Sequence, residues 1–169
     1  NILDMVNGGT NTKKQVLVLF PFKKDKRLDF QGFVDSINAH SKNGDVAARG
    51  SLKNILIEIK DSKLSIIETM TGQDLRDFKA VYVRRLKDKT QEGVTAVAIA
   101  AKAWGIDVLN SENANLQSFS KVTELVSLSL AGLPVPDTII AARAEVKKLL
   151  KNEEWFLPFP LIMKSANGS

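Results

Sequence analysis

The sequence predicts an α/β protein built on a small, mainly parallel sheet with flanking helices. Residues 15–20 (QVLVLF) form a continuous apolar, β-branched run of strand length, the pattern of a strand covered on both faces. Strand-like and helix-like segments then alternate as far as Leu109, which is the order that layers helices on a sheet. The helix-like stretch 91–104 is rich in alanine, so it can approach such a sheet closely.

Residues 1–14 read as a flexible head, with Gly8-Gly9 followed by polar residues and two lysines. The first strand ends at Pro21. Asp29 is placed to cap a helix whose stripe is Phe30, Phe33, Val34 and Ile37, with Gly44 as its stop. In residues 54–59, Ile55, Ile57 and Ile59 alternate onto one face; Asp61-Ser62 turns the chain and residues 64–68 return, a hairpin pattern. Thr71 to Asp74 reads as a loop, and Ala80 to Arg84 as a short strand that emerges on Arg84 and Arg85. The helix 91–104 buries Val94, Val97, Ala98, Ala101 and Trp104; Gly105 caps it and residues 106–109 form the next strand.

The composition then shifts. Residues 110–117 are polar and read as a linker. A helix over 121–131 puts Val122, Leu125, Val126 and Leu130 on one face; Gly132 ends it and Pro134 and Pro136 prevent its resumption. A strand over 138–141, a polar helix over 143–151, a proline-bearing turn at 156–159 and a strand over 160–164 follow. The expected division is a head (1–14), an α/β domain (15–109), a linker (110–117) and the start of a second unit (118–169). The chain starts at Asn1 rather than Met and stops after a glycine-bearing turn, so a fragment is expected.

Composition bounds the function. With 25% charged and 44% apolar residues, the 169-residue chain is ordinary globular material. Zero cysteines exclude a disulfide scaffold, a thiolate metal site and a cysteine nucleophile. No apolar run has membrane-spanning length and residues 1–15 are polar, so a cytoplasmic protein with no membrane partner is expected. The net charge of +5 is scattered, which argues against nucleic acid and leaves a homo-oligomer open. One histidine, His40, leaves histidine triads and multi-histidine metal sites unsupported; no metal ligands are assigned.

Three segments carry charge where chemistry would use it. Lys121 follows Ser118 and Ser120, either able to cap the helix, so it sits in the first turn, where a cation opposes the helix dipole by about 0.3–1 kcal/mol. An ammonium beside free N–H groups suits a phosphate; the alternative is a lysine that bends away into solvent. Lys164, at the end of an apolar strand, precedes Ser165, Ala166, Asn167, Gly168 and Ser169, small residues whose N–H groups can face an anion; the alternative is a plain turn. Arg84 and Arg85 leave a strand where open α/β sheets bind ligands, and would fork onto a carboxylate or phosphate, or pair with Asp77 or Asp88.

Residues 106–169, taken as an ordered set, resemble the opening of the ATP-grasp superfamily, closest to the glutathione synthetase and ribosomal-protein glutamate ligase branch. The set runs IDVLNSENAN, then Ser120-Lys121 opening a helix, then LAGLPVPDT closing that helix and starting a strand, then a helix, then LPFPLIMKSANGS. Asp77 to Arg85 resembles the aspartate and arginine-bearing strand of that branch's preceding domain. The resemblance implies a pre-ATP-grasp domain over 15–109 and the first part of an ATP-grasp core over 118–169. It implies that Lys121 contacts ATP phosphate, that Lys164 lies at the purine and α-phosphate, and that Ser165 to Ser169 begin the mobile phosphate-covering loop.

The reaction so implied is amide or peptide bond formation. ATP phosphorylates a substrate carboxylate, and an amine then attacks the acyl phosphate, with magnesium bridging phosphates. The expected ligands are ATP, Mg, a carboxylate and an amine, small molecule or peptide. Family positions for magnesium and the acyl phosphate lie beyond Ser169, Ser120 stands where relatives carry aspartate, and the loop has one glycine, Gly168. The chain by itself is therefore expected to be inactive. The rival expectation is a non-catalytic α/β interaction or anion-binding module.

Overall fold

The computed structural model describes residues 15–20, 30–42, 46–84, 91–113, 120–152, 156–158 and 162–163. They form an α/β structure with a parallel sheet, a separate antiparallel sheet and helices.

The parallel sheet has the order β2-β1-β6-β7, from β1 (Val16–Phe20), β2 (Ala47–Ser51), β6 (Ala80–Val83) and β7 (Asp107–Leu109). All five β1 side chains are 0–1% exposed, because β1 is central and covered on both faces. Val16, Val18 and Phe20 face α1 (Phe30–His40), meeting Phe30 and Val34; Leu17 and Leu19 face the other way, into a core that contains α2 (Gln91–Ala103). Full burial of side chains of this size stabilises by about 1.5–3 kcal/mol each. The β1–α1–β2 connection runs to one side and β6–α2–β7 to the other, so right-handed crossovers put their helices on opposite faces.

The antiparallel sheet has the order β5-β4-β3-β8, from β3 (Ile55–Lys60), β4 (Lys63–Glu68), β5 (Gln73–Asp74) and β8 (Thr138–Ala141). The hairpin turn is the two-residue Asp61-Ser62, with φ of 50° and 60°. Its inward face (Ile57, Ile59, Leu64, Ile66) belongs to the same core as α2 and as Val122 and Val126 of α3 (Lys121–Leu130). The small face of α2, with Ala96, Ala98, Ala100 and Ala101 at 0–1% exposure, is what lets a helix lie inside that core.

Helices α2 and α3 end alike. Gly105 and Gly132 have φ of 71° and 73°, and the residue after each donates back five positions: Ile106 N–H to Ala101 O at 2.8 Å, Leu133 N–H to Leu128 O at 3.0 Å. After α3 the chain enters β8, which pairs with β3, and then α4 (Arg143–Lys151), whose Leu149 is buried. The segments on either side of residues 110–117 thus share one sheet and one core.

Four sequence expectations change. Residues 47–51 (AARGS), read as no element, are the edge strand β2. The hairpin does not join the parallel sheet, so among the described residues four of eight strands lie outside it. Gln73–Asp74, expected in a loop, pairs with β4 because Gly72 at φ 69° reverses the chain. Within the expected strand 160–164, Ile162 and Met163 are the described residues; neither is in a strand, and both are exposed. The Asp29 cap and the Gly44 stop lie outside the described residues. Among the described residues no helix is long and apolar enough to cross a membrane.

Candidate ligand site at the carboxyl edge of the parallel sheet

Strands β1 and β6 are neighbours whose onward connections diverge, so their carboxyl ends form the switch point where open α/β sheets take ligands. Arg84 N–H donates to Leu19 O at 3.0 Å, which carries the ladder one residue past β6. Strand alternation then puts the Arg84 side chain on the α1 face, with Tyr82. Phe33, from the first turn of α1, stacks on Tyr82 at 5.6 Å and meets Phe20 edge-on at 6.5 Å. The Arg84 guanidinium lies 4.4 Å from the Phe33 ring centre. On the other side of β1, Arg49 of β2 stands 6.0 Å from Phe20 and 5.9 Å from Phe30. Cation–π contacts of this kind stabilise by about 0.5–1 kcal/mol at exposed positions.

Neither guanidinium forms an ion pair with a described residue. Of the two partners expected as the alternative for Arg84, Asp77 forms no ion pair with it, and Asp88 lies outside the described residues. Arg49 also borders a cleft of about 360 Å³ between α1 and β2, lined in part by Gln31, Asp35, Asn38 and Thr71. Asn38 Oδ1 accepts from Val46 N–H at 2.9 Å and Ala47 N–H at 2.7 Å, and Gln31 donates to Asp35 at 2.8 Å. Asn38 is therefore already committed to holding β2 on α1, and Asp35 accepts from its own helix.

Lys121 opens α3. Ser120 is its N-cap, in a reciprocal box with Thr123: Thr123 N–H donates to Ser120 Oγ at 3.2 Å, and Ser120 N–H to Thr123 Oγ1 at 2.9 Å. The Lys121 side chain is 83% exposed and pairs with Glu124 at 2.9 Å. An exposed pair of this spacing is worth about 0–1 kcal/mol, so an incoming phosphate would displace it readily. Arg85, Lys164, Ser165, Asn167, Gly168 and Ser169 lie outside the described residues. Among the described residues no group of three or more His, Asp or Glu side chains is placed to hold a metal ion.

Arg49 escaped the sequence reading because β2 did. The available signal was an arginine two positions after Ala47, at strand alternation, in a segment with little else to mark it. His40 is an exposed residue at the end of α1, bonded through Nδ1 to Ser36 O at 2.7 Å. Compared with known protein families, characterised proteins and solved structures, the chain matches none of them.

Proposed function

We propose that the chain belongs to an ATP-dependent carboxylate–amine ligase of the ATP-grasp kind, and that on its own it binds adenine nucleotide without turnover. The observation that carries the reading is Lys121: a capped helix start bearing a solvent-facing ammonium, held only by a displaceable partner. The elements that follow support it, with a glycine-closed helix, the proline-marked entry to β8, and α4. On this reading Lys121 and the Ser120-capped turn bind phosphate, Lys164 and residues Ser165 to Ser169 hold the rest of the nucleotide, and Arg84 with Arg85 orient the substrate carboxylate. ATP would supply the phosphoryl group that makes that carboxylate reactive, with magnesium held by groups outside this chain.

The test is calorimetric titration of the chain with Mg-ATP, alongside Lys121→Ala and Lys164→Ala. Each substitution is expected to weaken binding about tenfold or more, the worth of a charge-assisted bond, while the melting temperature of Lys121→Ala stays at the parent value. No binding by the parent, or binding by both variants as tight as the parent's, overturns the reading.

A further inference from the structure

We propose that the cleft between α1 and β2 is a binding site for a small zwitterion with a primary ammonium and a carboxylate, the carboxylate on Arg49 and the ammonium on Asp35 and Gln31. The inference does not rest on the ligase reading, because none of the residues given there to nucleotide or substrate lines this cleft.

The cleft, of about 360 Å³, is at the small end of ligand pockets. Gln31, Asp35 and Asn38 recur at i, i+4 and i+7, one face of α1, and the buried Val34 and Ala47 supply apolar lining. Some of its polar groups are already committed. Asn38 Oδ1 holds two β2-side N–H groups, and the Thr71 hydroxyl donates to Glu68 O at 3.2 Å and accepts from Gln73 N–H at 3.3 Å. Others are available. Asp35 Oδ1 accepts from Gln31 Nε2, which leaves Asp35 Oδ2 and Gln31 Oε1 without a partner among the described residues. The Arg49 guanidinium has ring contacts and no carboxylate partner there. One wall thus offers acceptors and the other a planar donor fork. An ammonium carries only donors, and a carboxylate fits the fork.

The register sets these walls face to face. Asn38 Oδ1 pins α1 to β2 at Ala47 N–H. Asp35 is three residues earlier in the helix, about 4.5 Å along it, and Arg49 two residues later in the strand, about 6.6 Å along it. The helix between two parallel strands runs back against them, so both steps go toward the carboxyl end of the sheet, and the two residues are nearly level. They line one cleft and form no ion pair with each other. Opposite charges that share a cleft without meeting leave room for a group that carries both.

The experiment follows backbone amide shifts of the chain by NMR, without nucleotide, during titration with glycine, β-alanine and 4-aminobutanoate, and with butanoate and butylamine as single-charge controls. At least one aminocarboxylate is expected to bind about tenfold or more tighter than either control, with shifts centred on the α1 face of Gln31 to Asn38 and on Ala47 to Arg49. Asp35→Asn, which keeps an oxygen for Gln31, is expected to bring that ligand down to the butanoate level, and Arg49→Gln to the butylamine level. Both side chains are exposed, so both variants are expected to melt with the parent. No aminocarboxylate ahead of the controls, an unchanged affinity in either folded variant, or shifts centred away from the cleft overturns the proposal.

Discussion

The Asp137 carboxylate accepts a 2.8 Å hydrogen bond from the backbone N–H of Asp61, 76 positions earlier in the chain. It is one of three bonds that fasten the β3–β4 turn to the last turn of α3 and the loop after it. Ser129 Oγ donates to Ser62 O at 2.7 Å, and Val135 N–H donates to Ser62 Oγ at 3.2 Å. The turn needs them, because both of its residues carry a Cβ in a left-handed conformation. Ser129 is buried and Asp137 is exposed, so Ser129→Ala is expected to cost about 1 kcal/mol and Asp137→Ala about 0.5 kcal/mol. Thermal melts check the order; an unchanged melting temperature in Ser129→Ala would show that the turn holds without this tie.

Gly50 sits where two leucines of β1 and a buried acid of β4 close on the backbone. A Cβ there would stand 2.7 Å from Leu17 Cδ1, 3.2 Å from Leu19 Cδ2 and 3.3 Å from Glu68 Cγ. Both leucines are fully buried, so their ends have no free space to move into. Gly50→Ala is expected to lower stability by about 1–3 kcal/mol, read as a lower urea midpoint at constant slope. Adding Leu17→Val, which removes the nearest atom, should make the double variant more stable than the sum of the two single losses. Strict additivity would refute the contact.

What the sequence disclosed follows from how each element is buried. β1 and α2 are covered nearly all round, so their residues are apolar almost without interruption and both were legible. α3 was legible in place but not in detail: Thr123 and Ser129 are buried beside Val122 and Val126, because their hydroxyls bond to Ser120 and Ser62. β2 was illegible, since edge pairing and small side chains leave no hydrophobic period. The β3–β8 pairing was illegible for another reason: local pattern names a strand but not its partner. The site divides the same way. Arg84, at the exit of a recognisable strand, was found; Arg49, on β2, was not.

Glu68 is a carboxyl inside the core, 1% exposed, at the end of β4. Oε2 accepts from Thr71 N–H at 2.8 Å, and among the described residues Oε1 has no hydrogen-bond partner. Burial pushes its pKa above the usual 4.5, and hydrogen bonding by the Thr71 backbone and side chain, the Met70 backbone and the Asn54 side chain only partly offsets this. A raised carboxyl means that the folded chain keeps a proton which the unfolded chain has already released. The contribution of this group to stability is therefore highest below the unfolded carboxyl's range and falls as pH rises from about 4.5 until the folded group has ionised. Glu58, also raised by burial, acts in the same direction, so the parent curve alone does not isolate Glu68. The measurement is urea unfolding between about pH 4 and pH 7 for the parent and Glu68→Gln. The amide keeps an oxygen for Thr71 and cannot ionise, so parent stability relative to the variant is expected to decline as pH rises. A difference that stays flat would mean that Glu68 ionises in the core at the same pH as in the unfolded chain, and one that grows with pH that it ionises below it; either overturns the raised carboxyl.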